Sequence, residues 1–158
     1  MENSSEYKVD GYEISTDNHK MDISVIHQYL SEESYWAKNI PYETVKKSVA
    51  NSFCFGIFYQ GKQVGLARLI TDKASFAYLC DVFILPEHRG KGLSKWLLTT
   101  IQSHPELQGL RRWLLGTKDA HGLYSQFGWV PVTEELVPRF MQRFQPDIYA
   151  KHSQNESR

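Results

Sequence analysis

Two glycines in one short segment have the spacing of an anion-binding loop. Gly90 and Gly92 follow an apolar run and precede a segment with apolar residues at helical spacing. The first backbone N–H groups of a helix lack intrahelical partners and attract anions, and a glycine lets a phosphate approach closely. Arg89, Lys91 and Lys95 add positive charge. The segment predicts a phosphate or pyrophosphate ligand, and the alternative is an ordinary turn between a strand and a helix.

The same segment differs from two well-known phosphate-binding loops. A P-loop reads G-x-x-x-x-G-K-[ST], whereas residues 90–94 read Gly-Lys-Gly-Leu-Ser. The dinucleotide-binding pattern G-x-G-x-x-G needs a third glycine at the position where Lys95 stands. The sequence therefore does not favour a nucleotide-binding domain of either type.

A carboxylate inside an apolar run is the second feature that bears on chemistry. Asp81 lies within Phe76–Leu85, which is rich in aromatic and branched residues. Burying a carboxylate is unfavourable unless the group is paired or has a function. The neighbouring Cys80 and the distant Cys54 have no histidine partner and no metal-ligand spacing, so we expect two reduced core thiols.

Hydrophobic periodicity predicts the elements that position these residues. Three consecutive strands follow two helices, which indicates an antiparallel meander, and helices and strands then alternate. The first two helices have recognisable starts at Asp22 and Pro41, and Tyr29 falls on the apolar face of the first. The later helices begin at Leu93 and Ala120. The predicted strands are Tyr12–Thr16, Phe53–Tyr59, Gln63–Ile70, Phe76–Leu85, Arg112–Gly116 and Trp129–Val132, with Phe140–Tyr149 as a further candidate.

The composition excludes several classes of protein. The chain has 158 residues, no net charge and 41% hydrophobic residues, which fits one globular domain and argues against nucleic-acid binding through bulk charge. No apolar run reaches the roughly 18 residues of a membrane span, and the N-terminus is polar. We expect a cytoplasmic protein with a single domain over residues 1–158 and an ordered core of about residues 7–150 between polar, flexible ends.

The wider segment around the glycines resembles a family signature. Residues 83–98 are similar to the acetyl-CoA signature of the GNAT superfamily of N-acyltransferases, in which a hydrophobic strand and a proline precede [RQ]-x-x-G-x-[GA]. Arg89, Gly92 and Ser94 take the three marked positions, and Ser94 departs from the usual glycine or alanine. Residues 120–129 resemble a second family element, A-x-x-L-Y-x-x-x-G-[FW]. The resemblance implies an α/β (α+β) fold with a mixed, mostly antiparallel central sheet and helices on both faces.

The resemblance also implies how acetyl-CoA is held. In such enzymes the strand before the loop separates from the next strand, and the pantetheine arm binds backbone groups there, which here belong to Val82, Phe83 and Ile84. Thr117 stands where the family often has a cofactor-binding asparagine, and its hydroxyl can replace that contact. Backbone amides of the loop and first helical turn hold the pyrophosphate, and the residues at these positions are Arg89, Gly90, Lys91, Gly92, Leu93 and Ser94.

Two residues are candidates for proton transfer by the same resemblance. Tyr124 matches the tyrosine that protonates the departing CoA thiolate, and a phenol is mostly protonated at neutral pH. The alternative for Tyr124 is a core tyrosine beside Phe127. Asp81 lies where some members place a carboxylate base for the amine, and the alternative is a paired structural carboxylate. Other members carry a glutamate base at the position of Arg112, so this chain lacks that glutamate base.

The acceptor is implied only as a class. Family members bind the amine beside the first two helices, where Tyr35 and Trp36 can form an apolar or cation-binding wall, with core packing as the alternative. The resemblance predicts transfer of an acetyl group from acetyl-CoA to a primary amine of a small molecule or peptide, without a metal. The alternative function is a non-catalytic acyl-CoA-binding or sensing module. Homodimers are common in the family, and the acceptor and the length of the acyl group stay open.

Overall fold

A six-stranded sheet forms the centre of the fold. The computed structural model describes residues 6–150, and its strands follow one another across the sheet in chain order. Neighbouring strands are antiparallel except for the last pair, which is parallel. The strands are β1 (Glu6–Val9), β2 (Tyr12–Ser15), β3 (Phe53–Tyr59), β4 (Lys62–Thr71), β5 (Phe76–Ile84) and β6 (Arg112–Leu115).

The helices begin where the sequence signals place them. Asp22 caps the first helix, since its carboxylate accepts a hydrogen bond from the Val25 N–H at 3.2 Å. A π-helical turn, Tyr29–Glu33, follows this helix directly. None of the helices within residues 6–150 is long and apolar enough to cross a bilayer. The α-helices are α1 (Ile23–Gln28), α2 (Tyr42–Ala50), α3 (Leu93–Ser103) and α4 (His121–Ser125).

Helices cover both faces of the sheet. Successive side chains of a strand point to opposite faces. On one face, the Cys54 thiol lies 3.9 Å from the Val49 carbonyl of α2. On the other face, the Phe55 ring meets the ring of His104, which directly follows α3, with ring centres 5.5 Å apart. The stretch Cys54–Phe58 is buried throughout, and the expected mixed sheet with helices on both faces is confirmed.

A first hairpin, β1–β2, extends the sheet beyond the predicted strands. The expected flexible end covers residues 1–6, but β1 begins at Glu6, and residues 1–5 lie outside the described part. Asp10 and Gly11 connect the two strands with φ of +50° and +84°. Asp-Gly between two strands is a strong hairpin signal because both turn positions need a positive φ. Lys8 and Val9 of β1 are exposed, so hydrophobicity alone does not mark this strand.

The predicted strands Trp129–Val132 and Phe140–Tyr149 are wrong. Within the described residues, no strand follows β6. Pro131 and Pro146 remove a backbone donor from each run, which disfavours sheet pairing. The apolar side chains of these runs, such as Val130, are largely exposed and therefore do not mark a buried strand.

The chain divides into two compact units, Met1–Gly116 and Thr117–Arg158. Within the described residues, the first unit contains the six strands and helices α1 to α3, and the second contains α4 and the short turn Val137–Arg139. The predicted single domain over residues 1–158 stays a prediction, and the predicted flexible end at residues 151–158 lies outside the described residues.

A buried histidine links the stability of the first unit to pH. The Nδ1 atom of His104 accepts a hydrogen bond from the Glu106 N–H at 3.1 Å. The rings of Phe53 and Phe55 pack against the imidazole, and the side chain is buried. Burial lowers the pKa of His104 below its ordinary value of 6.5, and the nearby Lys73 ammonium acts in the same direction, against Glu106. The unfolded chain therefore takes up a proton at this histidine before the folded chain does.

We expect the stabilising contribution of neutral His104 to be complete above about pH 6.5 and to decrease as the pH falls towards the lower pKa of the folded state. Urea unfolding between about pH 8 and pH 5 measures this as a loss of unfolding free energy. His104→Asn is the control, because asparagine can still accept the bond from Glu106 but does not titrate. If plots of unfolding free energy against pH stay parallel for the wild type and the variant across this range, the prediction is wrong.

Candidate active site

The last residues of β5 have an open edge. The parallel pairing of β5 with β6 runs from Phe76 opposite Arg112 to Leu79 opposite Leu115, and β5 then continues to Ile84. In the described part of the chain, no other strand lies beside this final stretch on the β6 side. The two strands thus part before the glycine loop, and an extended ligand can pair with a free strand edge through its backbone.

The backbone at this edge has a defined direction. The Leu85 N–H donates to the Val64 carbonyl of β4 at 2.8 Å. Because backbone groups alternate in direction along an antiparallel strand, the N–H and carbonyl of Ile84 point away from β4 and towards the open edge. The Arg89 Nε atom donates to the Ile84 carbonyl at 2.9 Å, which agrees with this direction. By the same alternation, the backbone of Phe83 turns to β4, so its predicted contact with the cofactor does not face the edge.

A β-bulge interrupts β5 within the stretch that has the open edge. The register of β4 and β5 shifts between Leu66 and Arg68, so β5 has one residue more than β4 at this point. Asp81 lies in the bulge with φ of +51°. Such a conformation costs on the order of 1–3 kcal/mol for a residue other than glycine, although aspartate adopts it more readily than most. The contacts of the Asp81 side chain must offset this cost.

Asp81 is paired on both carboxylate oxygens. Arg68 Nε donates to Oδ2 and Trp36 Nε1 donates to Oδ1, each at 2.8 Å. The side chains of Arg68 and Asp81 are only 15% and 10% exposed. Burial lowers the pKa of Arg68, but nearby negative charge, chiefly that of Asp81, raises it by more. The paired carboxylate that was the structural alternative for Asp81 is therefore present, while each oxygen keeps a second lone pair that can accept a proton or a water.

Four aromatic residues form a wall beside this ion pair. Tyr29 stacks on Phe83 with ring centres 4.1 Å apart and lies 6.4 Å from the Trp36 ring. Tyr35 meets Trp36 edge-on at 5.1 Å. Tyr35 and Trp36 are 50% and 41% exposed, so both keep surface for a ligand. The structure thus joins two predicted site residues, Trp36 and Asp81, and adds Tyr29, which helical periodicity had assigned to the core.

The π-helical turn after α1 determines where this wall lies. The turn is closed by the Ser34 N–H, which donates to the Tyr29 carbonyl at 2.9 Å. The Ser34 hydroxyl donates to the Leu30 carbonyl at 2.6 Å and accepts from the Ala37 N–H at 3.1 Å, which fixes the chain on both sides of Tyr35 and Trp36. Turns of this type are rare and occur frequently at functional sites.

The predicted anion loop is open. Gly90 and Gly92 have φ of +78° and +76°, and no described residue other than the adjoining chain lies within 4 Å of a Cβ built at either position. Gly92 is the N-cap of α3, and it has no side chain with which to cap this helix end. The N–H groups of Leu93 and Ser94 therefore have no partner within the helix. The first turn also contains no acidic residue that would oppose an anion.

In the second unit, Tyr124 is buried within α4. Its ring meets the Trp129 ring at 6.0 Å, and its carbonyl accepts from the Trp129 N–H at 3.3 Å. The Thr117 hydroxyl oxygen accepts from the Ala120 N–H at 3.1 Å at the start of the same helix. The hydroxyl of Thr117 can still donate to a ligand while it makes this bond.

The cysteines do not provide a nucleophile. Cys54 and Cys80 are free thiols, and burial raises the pKa of each to about 12. A covalent route needs a thiolate, which this shift disfavours near neutral pH. Over the described range, no group of three or more His, Cys, Asp or Glu side chains is arranged to hold a metal ion.

Comparison with known proteins identifies the family. The family model described as "Acetyltransferase (GNAT) family" matches residues 23–129. A Gibberella zeae protein, named as a candidate acetyltransferase, is 34% identical in an alignment 137 residues long, and the match covers 73% of this chain and 76% of that protein. The chain therefore belongs to the GNAT family of acetyltransferases.

Solved structures agree with this assignment. A GNAT-family protein of Xanthomonas campestris pv. campestris, also named as a candidate acetyltransferase, is 48% identical, and the match covers 90% of this chain and 99% of that one with a TM-score of 0.86. A GNAT-family acetyltransferase of Elizabethkingia anophelis, solved with acetyl-CoA bound, is 12% identical, and the match covers 87% of this chain and 90% of that one with a TM-score of 0.59. The second likeness concerns the fold alone.

Proposed function

We propose that the protein transfers an acetyl group from acetyl-CoA to a primary amine of a small molecule or peptide, by direct attack in a ternary complex. The observation that carries this proposal is the open edge of β5, which leads from the bulge at Asp81 towards the glycine loop before α3. CoA combines an extended pantetheine arm with a pyrophosphate, and the edge and the loop offer backbone N–H groups suited to each. Family membership and the acetyl-CoA bound to the Elizabethkingia protein support the same donor.

The donor is proposed to lie along the first unit. The outward N–H of Ile84, together with the backbone of Val82, holds the pantetheine arm. The amides of Arg89 to Ser94 hold the pyrophosphate, and Arg89 and Lys91 supply positive charge beside it. Thr117 is proposed as a further cofactor contact through its hydroxyl, by its match to the family position.

The reaction needs a free amine and a protonated leaving group. An alkylamine is mostly protonated near neutral pH, so Asp81, or a water held by its remaining lone pairs, takes up one proton. The amine nitrogen then forms a bond to the acetyl carbonyl carbon, and the carbon–sulfur bond breaks. Tyr124 donates its phenol proton to the departing thiolate, and the proton that the nitrogen loses as the amide forms restores the phenol. The products are the N-acetylated amine and CoA thiol.

The aromatic wall is the proposed acceptor surface. The exposed faces of Tyr35 and Trp36 suit the apolar or cationic part of an amine. The bond from Trp36 to Asp81 connects this surface with the proposed base. An acceptor that lies against Trp36 would therefore present its amine near the carboxylate that removes its proton.

An acceptor screen tests the proposal. Wild-type protein is incubated with acetyl-CoA and a panel that includes amino acids, polyamines, arylalkylamines, aminoglycosides and peptides, and free CoA thiol is measured together with the acetylated product. Amine-dependent thiol release with a matching acetylated product would support the proposal. Tight acetyl-CoA binding by calorimetry without such release across the panel would favour the non-catalytic acyl-CoA-binding module instead.

Asp81→Asn separates catalysis from structure at the bulge. We expect the variant to lose the acidic limb of the pH–rate profile, because its amide cannot take up the proton from the amine, while the Kd of acetyl-CoA changes less than about threefold. Its unfolding free energy should fall by about 1–3 kcal/mol, because Arg68 loses its ionised partner. Arg68→Gln is the matched variant: it also breaks the pair but keeps the carboxylate, so the acidic limb of the pH–rate profile should persist. A lower stability with an unchanged limb in Asp81→Asn would make Asp81 purely structural.

A further inference from the structure

A tyrosine on β2, three strands away from β5 in the sheet, contacts the glycine loop at two points. Tyr12 lies on β2, and its hydroxyl is 2.7 Å from Nδ1 of His88. The same hydroxyl accepts a hydrogen bond from Lys91 Nζ at 3.3 Å. His88 and Lys91 lie on the two sides of Arg89 and Gly90 in the chain. Tyr12 therefore holds both ends of the segment that leads into the exposed part of the loop.

The contact is packed as well as hydrogen-bonded. The rings of Tyr12 and Tyr59 lie 4.7 Å apart, and the His88 imidazole lies 5.6 Å from the first and 5.4 Å from the second. The Lys91 ammonium lies 5.8 Å from the centre of the Tyr12 ring, within the range of a cation–π contact. Tyr12 itself is buried, so its hydroxyl has a fixed position from which it can order the loop.

The chemistry of the groups sets the direction of one of the two hydrogen bonds. A lysine ammonium can only donate, so Lys91 donates to the Tyr12 oxygen. The Tyr12 hydroxyl keeps its hydrogen and a second lone pair for Nδ1 of His88, and the tautomer of the imidazole decides which of the two groups donates. With either tautomer, Lys91, Tyr12 and His88 form one continuous hydrogen-bonded chain.

The segment that this chain brackets would otherwise be costly to order. Gly90 and Gly92 have positive φ, and residues 89–92 are exposed, so the backbone has many conformations to lose when a ligand binds. Contacts that restrict such a segment in the free protein reduce that loss and increase affinity without touching the ligand.

We propose that Tyr12 is a positioning residue that pre-orders the glycine loop for the phosphates of acetyl-CoA, acting through His88 and Lys91. This role rests on the proposed function of the loop. Tyr12 lies on β2, and its effect is on the loop and not on the bonds that form and break. It should therefore govern the affinity for the donor and leave the chemical step unchanged.

Tyr12→Phe tests this role, because phenylalanine keeps the ring packing and removes only the hydroxyl. We expect the Kd of acetyl-CoA and of free CoA to rise about 5–30-fold, while kcat at saturating acetyl-CoA stays within about threefold of the wild-type value. Amide hydrogen exchange at residues 89–92 of the free protein should become faster. Tyr7→Phe, which removes a hydroxyl from β1 opposite Ile14, is the matched control and should change none of these values.

A second variant tests whether the effect passes through His88. His88→Phe keeps an aromatic ring against Tyr12 and Tyr59 but removes Nδ1. If both residues act through one contact, the double variant with Tyr12→Phe should bind acetyl-CoA within about threefold of the Tyr12→Phe variant. If the fold-increase in Kd of the double variant instead equals the product of the two single-variant increases, Tyr12 does not act through His88. That result would overturn this part of the proposal.

The failure of this inference can be told apart from the failure of the proposed function. If wild-type protein binds acetyl-CoA and Tyr12→Phe binds it equally well with unchanged exchange at residues 89–92, the loop is ordered without Tyr12 and the inference is wrong. If wild-type protein does not bind acetyl-CoA, the proposed function fails and the inference fails with it as a statement about donor affinity. The exchange measurement then still decides whether Tyr12 orders the loop.

Discussion

Replacing Tyr124 with phenylalanine is expected to lower kcat by about 10²–10⁴-fold, the usual contribution of a general acid. The substitution keeps the ring that packs against Trp129 and removes only the hydroxyl, so the fold of the second unit should survive. The hydroxyl acts on charge that develops on sulfur in the transition state, and the Kd of acetyl-CoA should therefore change far less than kcat. Single-turnover kinetics with saturating donor measure the chemical step directly.

The control for this variant is a hydroxyl removed elsewhere in the same unit. Tyr149→Phe makes the identical chemical change and should leave kcat within about threefold of the wild-type value. A loss of less than about threefold in Tyr124→Phe, under conditions where chemistry limits the rate, would return Tyr124 to the role of a core residue. It would also strengthen the non-catalytic alternative, because this residue is the main sequence argument for an acid.

Gly92→Asp is expected to raise the Kd of acetyl-CoA by about 100-fold or more, since placing like charges together costs several kcal/mol. Gly92 is the N-cap of α3, and the space around its Cβ position is open. An aspartate there would direct a carboxylate towards the helix end that is proposed to hold the pyrophosphate. It would also occupy the space that lets a phosphate approach the backbone. Isothermal calorimetry with acetyl-CoA measures the loss.

The matched control separates charge at the site from strain in the backbone. Gly109 has φ of +79° and nothing within 4 Å of its Cβ position in the described structure, much as Gly92 does. Gly109→Asp therefore imposes the same conformational strain and the same charge at a turn before β6, and should leave the Kd unchanged. Gly92→Asn adds nearly the same volume without charge and should have a smaller effect than Gly92→Asp. Equal affinity in wild type and Gly92→Asp would remove the loop as the phosphate site.

The features that could be predicted from sequence are those whose signal is local. The strand Phe53–Tyr59 has its predicted bounds because a continuous apolar run between turn residues determines both ends. The start of α3 was predictable because Gly92 and the apolar spacing after it lie within one short segment. The same reasoning failed for Phe140–Tyr149, where apolar residues lie next to proline and no neighbouring strand receives them.

The features that escaped prediction depend on residues far apart in the chain. Trp36 and Asp81 are 45 positions apart and meet only because the π-helical turn and the bulge bring them together. Neither irregularity changes the hydrophobic pattern, so periodicity cannot reveal it. The bonds from Tyr12 to His88 and Lys91 span 76 and 79 positions. The sequence predicts which residues belong to the candidate site, and long-range polar contacts of this kind determine how those residues are arranged.

The single parallel strand pair of the described sheet also bears on the order in which the fold assembles. β3, β4 and β5 are joined by short turns, and hairpins of this kind form in about 1–10 μs. β6 pairs with β5 only after the chain has passed through α3, so this contact closes a long loop and raises the contact order. It is also short, and parallel pairs are slightly less stable per residue than antiparallel ones. We therefore expect the β5–β6 pairing, which lies beside the proposed donor edge, to form after the meander of β3, β4 and β5 and to open before it.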